Sequence, residues 1–180
     1  MSKYFGTDGF RGEANIDLTV EHAMKIGLFL GHYYGKERKA RVVIGKDTRL
    51  SSYMYEDALS AGLTAAGADA YLMHVTTTPS VSYVARTEGF DCGIMISASH
   101  NPYYDNGIKL FGPDGYKLSD ADEAEIEALI EAGTPLARSD EIGRARKIED
   151  ARGRYIHFAK STFPDHLRLD GVKVVVDCAH

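Results

Sequence analysis

From residue 18 onward, the chain alternates between helical spacing and short apolar runs rich in β-branched residues. Arg41 to Gly45 (RVVIG), Ala70 to Val75 and Cys92 to Ser97 have the length and composition of buried strands. Helical spacing occupies the intervals Leu18 to Gly35, Tyr53 to Gly67 and Pro79 to Glu88. This order predicts βαβ units, and therefore a three-layer α/β/α domain built on a mainly parallel, mixed sheet.

Two further helices and an antiparallel element are predicted after the third strand. Lys109 to Phe111 and Tyr116 to Leu118 flank a Gly-Pro-Asp-Gly turn, so they predict a hairpin or an antiparallel edge strand. Helical spacing returns over Ala121 to Ala132 and over Ile148 to Phe163, with Ala159 predicted to face inward. Acidic residues on the first of these helices predict a solvated face rather than a metal site, because no second ligand set converges on them.

Length and pattern together predict one domain and the start of another. Residues 1–165 are expected to form the first domain, since 180 residues suit one domain or one domain with part of a second. Val172 to Val176 (VKVVV) predicts a strand that no further element follows. Residues 166–180 are therefore expected to begin a second, truncated α/β domain.

Composition excludes several classes of protein. The net charge of -5 argues against a general nucleic-acid or anionic-membrane binder, and no apolar run is long enough to span a bilayer. The first residues lack the apolar core of a signal peptide, so a cytoplasmic location is expected. Cys92 and Cys178 lie in apolar contexts and are predicted to be buried, reduced thiols.

The most polar strand end is Ser97 to Pro102 (SASHNP), directly after the third predicted strand. Ligands of open α/β sheets bind at the carboxyl ends of strands, so Ser99, His100 and Lys109 are candidates for one shared site. Ser97 competes with Ser99 as the reactive hydroxyl. On an extended segment both serines would face the same side, and the pattern alone cannot separate them.

Two other polar stretches could add to this site. Residues 4–12 (YFGTDGFRG) hold three glycines and predict a loop, in which Arg11 either binds an anion or is a solvated surface residue. Gly45 to Arg49 (GKDTR) lacks the spaced glycines of a Walker A loop. Its charges fit either ligand contact or an Asp47–Arg49 network that holds the loop in place.

Three kinds of chemistry compete for Ser99. The Gly-x-Ser-x-Gly elbow of α/β-hydrolases is absent, and on an extended segment His100 would point away from Ser99. A phosphate-binding loop and a covalent phosphoryl carrier both remain open. The carrier would need positive partners, which Arg11, Lys109 and His100 could provide, together with carboxylate-bound Mg²⁺. No clear carboxylate trio is visible, so the residues alone favour a phosphate or sugar site over phosphoryl transfer.

FGTDGFRG, GKDTR, the Thr-Thr-Pro turn and ISASHNPYYDNGIKLFGPDGYKL resemble the N-terminal domain of the α-D-phosphohexomutases, from about Tyr4 to the end of the chain. The resemblance implies that Ser99 is the phosphoserine and Arg11 the active-site arginine. It also implies that Lys109 is the general acid/base and His100 the motif histidine. An Mg²⁺ ion is implied as cofactor, with the Ser99 phosphate oxygen as one of its ligands.

In that family, the serine phosphate is passed to a sugar phosphate, and the resulting bisphosphate returns its other phosphoryl group. The GTDGFRG and DNGIKLFGPDGYKL stretches are most similar to bacterial members that interconvert glucosamine 6-phosphate and glucosamine 1-phosphate. Mannose or glucose phosphates, and a non-catalytic phosphate-binding module, remain alternatives. The family has four domains, and the other three supply the metal carboxylates and sugar contacts. The chain alone is therefore expected to be inactive, and its bare interdomain surface is expected to favour a homodimer or aggregation.

Overall fold

The computed structural model describes residues 5–6 and 9–177, with the backbone but not the side chains of residues 129–132. The strands are β1 Phe5–Gly6, β2 Gly9–Glu13, β3 Arg41–Lys46, β4 Asp69–Val75, β5 Cys92–Ile96, β6 Asp105–Phe111 and β7 Ala145–Lys147. The helices are α1 Val20–Tyr34, α2 Leu50–Ala65, α3 Thr78–Thr87, α4 Asp120–Ala132 and α5 Ala151–Ser161. All seven strands of this described part form one sheet in the order β1-β2-β6-β5-β3-β4-β7.

The sheet is mixed, as predicted. Strands β5, β3, β4 and β7 are parallel neighbours, whereas β6 is antiparallel to β5 and β2, and β2 is antiparallel to β1. Alternate residues of β3 pack into two different apolar clusters. Val42 and Ile44 join the large cluster that includes α1 and α2 residues, and Val43 joins α3 residues and Met95 in a smaller one. Helices therefore cover both faces, which confirms the three-layer α/β/α prediction.

The predicted antiparallel element is present in a shortened form, and further antiparallel strands lie beside it. Lys109 to Phe111 ends strand β6, which is antiparallel to β5, and Lys117 forms a single antiparallel bridge with Phe111 across the turn. Residues 4–12 were expected to be a loop, but β1 and most of β2 fall within this range and pair as Phe5 with Phe10. The sequences of β1 and β2 contain no β-branched residue. Pairing with neighbouring strands, rather than local propensity, therefore keeps both strands extended.

Helix boundaries agree with the sequence at α1 and differ at two others. Thr19 caps α1 and forms a capping box with His22, and Gly35 ends the helix as predicted. Helix α2 begins at Leu50, earlier than the predicted Tyr53, and its N-cap is Arg49. Helix α3 begins at Thr78, one residue before the predicted Pro79, and its N-cap is Thr77.

Differences are larger toward the end of the described chain. In α5, Tyr155 and Phe158 are half-buried against Tyr83, but Ala159 is exposed, so its predicted inward position was wrong. Val172 to Val176 forms no strand and is exposed, because no described strand lies beside it to accept its hydrogen bonds. The proposed domain division near residue 165 stays a prediction.

The cysteine and acidic-face predictions have mixed outcomes. Cys92 is fully buried with a free thiol, as predicted, and Cys178 lies outside the described residues. The acidic face of α4 is not uniformly solvated: Glu123 is only 4% exposed. Within residues 5–6 and 9–177, no helix combines the length and apolar character that a membrane crossing requires.

Candidate functional site

The loop after β5 lies at the carboxyl end of the parallel strands, next to two antiparallel strands. The Asp47 N–H, just after β3, donates to the Ile96 carbonyl, and the Ser97 N–H donates to the Gly107 carbonyl of β6. Gly107 in turn stands opposite Arg11 of β2. A Cβ at Gly107 would lie 2.9 Å from both the Arg11 Cγ and the Ser97 carbonyl oxygen. Glycine is therefore required there, because any side chain would separate Arg11 from the Ser97 strand end.

Lys109 shares a sheet face with Arg11. It stands opposite Met95 of β5 and two residues beyond Gly107 on β6. Side chains alternate along a strand and match across a pair, so Lys109 and Arg11 project from the face that α3 covers. Lys109 is half-buried and lines a cavity of about 190 Å³ together with Gly9 and Thr78. Arg11 and Lys109 therefore lie on the same face of the sheet, on the neighbouring strands β2 and β6.

Ser97 and Ser99 have different environments, contrary to the expectation for an extended segment. Strand β5 ends at Ile96, and Ser99 adopts the left-handed conformation, with φ = 58°. The Ser99 side chain is exposed, whereas Ser97 is 6% exposed and its Oγ accepts a hydrogen bond from the Ser99 N–H at 3.0 Å. Of the two hydroxyls, Ser99 is therefore the one that a substrate can reach.

His100 lies beside Ser99 rather than on the opposite side. Its Nδ1 is 3.5 Å from the Ser99 Oγ, and both residues are exposed. The expectation that they would point apart was wrong, because it assumed an extended backbone. A separation of 3.5 Å is the outer limit of a hydrogen bond, so the pair is in contact without the close geometry of an activated nucleophile.

Arg49 reaches from the start of α2 into the Ser99 loop. Its two terminal nitrogens donate to backbone carbonyls of Ser99, Asn101, Pro102 and Asp105, at distances from 2.5 to 3.1 Å. Its Nε donates to the Asp47 Oδ2 at 3.0 Å. Of the two interpretations left open for GKDTR, the structure shows the network that holds a loop, and the loop it holds is the one that carries Ser99.

Asn106 continues this network at the other end of the loop. It is fully buried and donates to the hydroxyls of Ser51 and Ser52 at 2.8 and 2.9 Å. Ser52 donates onward to Asp47, the acceptor of Arg49. The sequence interpretation missed Asn106 and the reach of Arg49. Asn106 directly precedes Gly107 in the chain, and a polar residue entering a buried strand was the available signal.

An ion pair between an exposed lysine and a buried glutamate borders the cavity that Lys109 lines. Lys117 Nζ lies 2.8 Å from Glu123 Oε2, and both residues line the cavity. Burial raises the pKa of Glu123 despite the attraction of Lys117. Burial alone would lower the pKa of Lys117, but the hydrogen bond and charge of Glu123 outweigh it and raise this pKa. A simple ion pair would lower the pKa of the acid, whereas here the pKa of Glu123 is raised. Glu123 is much less exposed than Lys117, so for Glu123 the effect of burial is larger than the effect of the ion pair.

The described residues do not form a complete Mg²⁺ site. No group of three or more His, Cys, Asp or Glu side chains converges among them in a geometry that could hold a metal ion. The carboxylates beside the loop are already engaged: Asp47 accepts from Arg49 and Ser52, and Asp105 accepts from Asn101. From this chain, a phosphate on Ser99 is the one Mg²⁺ ligand that the sequence resemblance implies.

Comparison with known families agrees with this fold. Residues 2–137 match the phosphoglucomutase/phosphomannomutase family, alpha/beta/alpha domain I. The match covers well over half of the chain. The chain therefore belongs to the phosphoglucomutase/phosphomannomutase family and contains its domain I.

Two individual relatives show which members of the family the chain resembles in sequence. A phosphoglucosamine mutase from Novosphingobium aromaticivorans is 56% identical over 180 residues, which is 99% of this chain and 40% of the relative. One from Lachnospira eligens is 61% identical over 167 residues, which is 89% of this chain and 37% of the relative. The chain thus spans about two fifths of the length of these relatives.

A solved structure shows the same fold. The crystal structure of a phosphoglucomutase/phosphomannomutase family protein from Burkholderia thailandensis superposes with a TM-score of 0.74. The match covers 87% of this chain and 35% of the other, at 24% sequence identity.

Proposed function

We propose that this chain is the phosphoserine-bearing domain of a phosphoglucosamine mutase, which interconverts glucosamine 6-phosphate and glucosamine 1-phosphate. The observation that carries the proposal is the placement of Ser99. Its exposed hydroxyl stands on a loop fixed by Arg49, at the sheet edge where Arg11 and Lys109 share one face. The choice of an amino sugar is supported by relatives that are named phosphoglucosamine mutase and cover nearly the whole chain.

In the proposed reaction, the hydroxyl of the sugar phosphate attacks the phosphorus carried by Ser99. The bond between phosphorus and the Ser99 Oγ breaks, and a bond between phosphorus and the sugar oxygen forms. Lys109, in its neutral form, accepts the proton of the attacking hydroxyl, and the leaving Ser99 oxygen, on an exposed side chain, takes a proton from solvent. Reorientation of the bisphosphate then presents its other phosphoryl group, which returns to Ser99 by the reverse sequence.

Arg11 and His100 would supply positive or hydrogen-bonding groups to the transferring phosphoryl group. The guanidinium of Arg11 matches phosphate geometry, and charge on the three phosphoryl oxygens is what must be stabilised in a loose transition state. Bound Mg²⁺ would neutralise part of that charge, with a Ser99 phosphate oxygen as one ligand. Since the described residues complete no metal site, the remaining ligands would come from elsewhere in the natural protein.

The location and assembly of the protein belong to the same proposal. A cytoplasmic location fits the conversion of a phosphorylated sugar such as glucosamine 6-phosphate. Contact with further domains or with a second copy fits the exposed apolar residues Leu169, Val174 and Val175. Size measurement of the natural protein by light scattering would decide whether it forms the expected homodimer.

Mass spectrometry and a substrate comparison test the proposal. The protein is purified from its source without phosphatase treatment, and tandem spectra are recorded before and after incubation with a hexose bisphosphate. We expect one phosphoryl group, located on Ser99, and faster turnover of glucosamine 6-phosphate than of mannose or glucose phosphates. Preference for mannose or glucose phosphate would identify another branch of the family. A protein that never carries phosphate on Ser99 would be a non-catalytic phosphate-binding module.

A further inference from the structure

Arg49 uses every donor that its side chain possesses. A guanidinium carries five N–H groups and no acceptor. Nε donates to Asp47, one terminal nitrogen donates to the carbonyls of Pro102 and Asp105, and the other donates to those of Ser99 and Asn101. The side chain is 7% exposed. No donor is therefore left for a phosphate, although an arginine beside a phosphoserine loop would ordinarily be assigned to phosphate binding.

The four carbonyls bound by Arg49 belong to one loop and to the residue that carries the chemistry. They span Ser99 to Asp105, and they enclose the Pro102 turn. Ser99 itself is held with φ = 58°, a conformation that a non-glycine residue adopts at a cost of roughly 1–3 kcal/mol. Such a conformation persists when the surroundings over-determine it. Arg49 donates to the Ser99 carbonyl, and the Ser99 N–H donates to the Ser97 hydroxyl, so both backbone polar groups of Ser99 are held by hydrogen bonds.

We infer that Arg49 is the positioning residue that fixes the orientation of the Ser99 loop for phosphoryl transfer, and that it does not bind the substrate. The inference rests on the proposed transfer at Ser99. The Asp47 carboxylate, just after β3, accepts from the Arg49 guanidinium and orients it. Ser52 donates to the same carboxylate and accepts in turn from the buried Asn106, so the carboxylate is itself held in place. The loop is thereby coupled to the rigid sheet and helix rather than left to its own exposed residues.

Replacement of the guanidinium by an ammonium tests this role in the natural protein. In the Arg49→Lys variant, three donors cannot serve four carbonyls and Asp47. We expect kcat to fall by about tenfold to 10²-fold while KM changes by less than about twofold, since small misplacement of a reacting group is costly and substrate contacts remain. Hydrogen exchange over residues 97–105 should accelerate, with the remaining sheet unchanged.

The control and a second variant keep the result interpretable. Arg38→Lys removes a guanidinium that pairs with Asp91, outside the Ser99 loop, and should leave kcat near the wild-type value. In a second variant, Arg49→Ala, added guanidinium should restore part of kcat and of the exchange protection. Failure of guanidinium to restore either would overturn the inference.

Other outcomes separate this inference from the proposed function. A wild-type protein without phosphate on Ser99 would refute the proposed function before any variant is examined. An active wild type with an Arg49→Lys variant of unchanged kcat would refute only the positioning role. A variant whose KM rises while kcat is retained would show that Arg49 binds substrate, and the inference would be wrong.

Discussion

The Ser97 Oγ accepts a hydrogen bond from the Ser99 N–H at 3.0 Å, so two neighbouring serines have distinct roles. Ser97 is buried and supports the loop, whereas Ser99 is exposed and presents its hydroxyl. The conformation that separates them is the left-handed turn at Ser99. The Ser97 hydroxyl is buried and accepts from a backbone N–H, so this loop with two serines exposes a single hydroxyl, that of Ser99.

Substitution at the two serines should therefore have different effects. Ser99→Ala is expected to abolish phosphorylation and mutase activity, because the carrier oxygen is removed. Ser97→Ala leaves that oxygen and removes one acceptor, which costs about 1 kcal/mol of loop stability and weakens activity only in part. Tandem mass spectra and turnover assays on the natural protein measure both. A phosphoryl group that remains in Ser99→Ala, or one found on Ser97, would contradict this assignment.

The buried Lys46–Glu56 pair is expected to matter for stability. Lys46 Nζ lies 2.7 Å from Glu56 Oε2, and the two side chains are 2% and 4% exposed. Removal of Lys46 takes away the cation of the pair and leaves the buried Glu56 carboxylate with the longer contact to His74, whose Nδ1 lies 3.2 Å from the same oxygen. Lys46→Met should therefore lower the free energy of unfolding by an amount near the lower end of about 3–5 kcal/mol. Urea denaturation of the chain at pH 7 measures this change.

A matched control for that pair lies on the surface of α1. Lys25 and Glu21 form an ion pair one turn apart, and their side chains are 39% and 72% exposed. Lys25→Met should change the unfolding free energy far less than Lys46→Met, because water screens exposed pairs. Equal effects of the two substitutions would show that burial does not set the energy of the Lys46–Glu56 pair.

Glu123 should make stability depend on pH in the acidic range. Burial raises its pKa in the folded chain above the ordinary value of 4.5, so the folded chain binds more protons than the unfolded chain just above pH 4.5. The contribution of Glu123 to stability therefore falls as pH rises through this window. The difference in unfolding free energy between wild type and Glu123→Gln, measured by urea denaturation, should shift in that direction. A difference that is constant from pH 4.5 to neutrality would contradict the raised pKa.

Cys92 should be inert to thiol reagents while the chain is folded. Its side chain is fully buried, and burial raises the pKa of the thiol, so almost no thiolate is present at pH 8. In a Cys178→Ala background, Cys92 should react with Ellman's reagent only at the rate of unfolding, and rapidly in denaturant. Rapid labelling of the folded variant would show that the strand opens locally.

Local patterns predicted most helices and parallel strands. The apolar run Arg41 to Gly45 lies in β3. Thr19 and Gly35 are the N-cap and C-cap of α1, as the sequence predicted. Propensity failed where partners rather than residue types set the structure. Gly9 to Glu13 is a strand because β6 pairs with it, and Val172 to Val176 is not a strand because no described neighbour does.

The sequence by itself determined the α/β class and the position of the polar loop after β5 on which the proposed function rests. Short strands, capping residues and the SASHNP segment express interactions within a few residues of one another. Tertiary structure alone decided which serine is exposed, how Arg11 and Lys109 share a face, and that Arg49 spends its donors on four distant carbonyls. Those relations depend on strand order and on contacts across about 50 residues of chain, which no local pattern of residue types encodes.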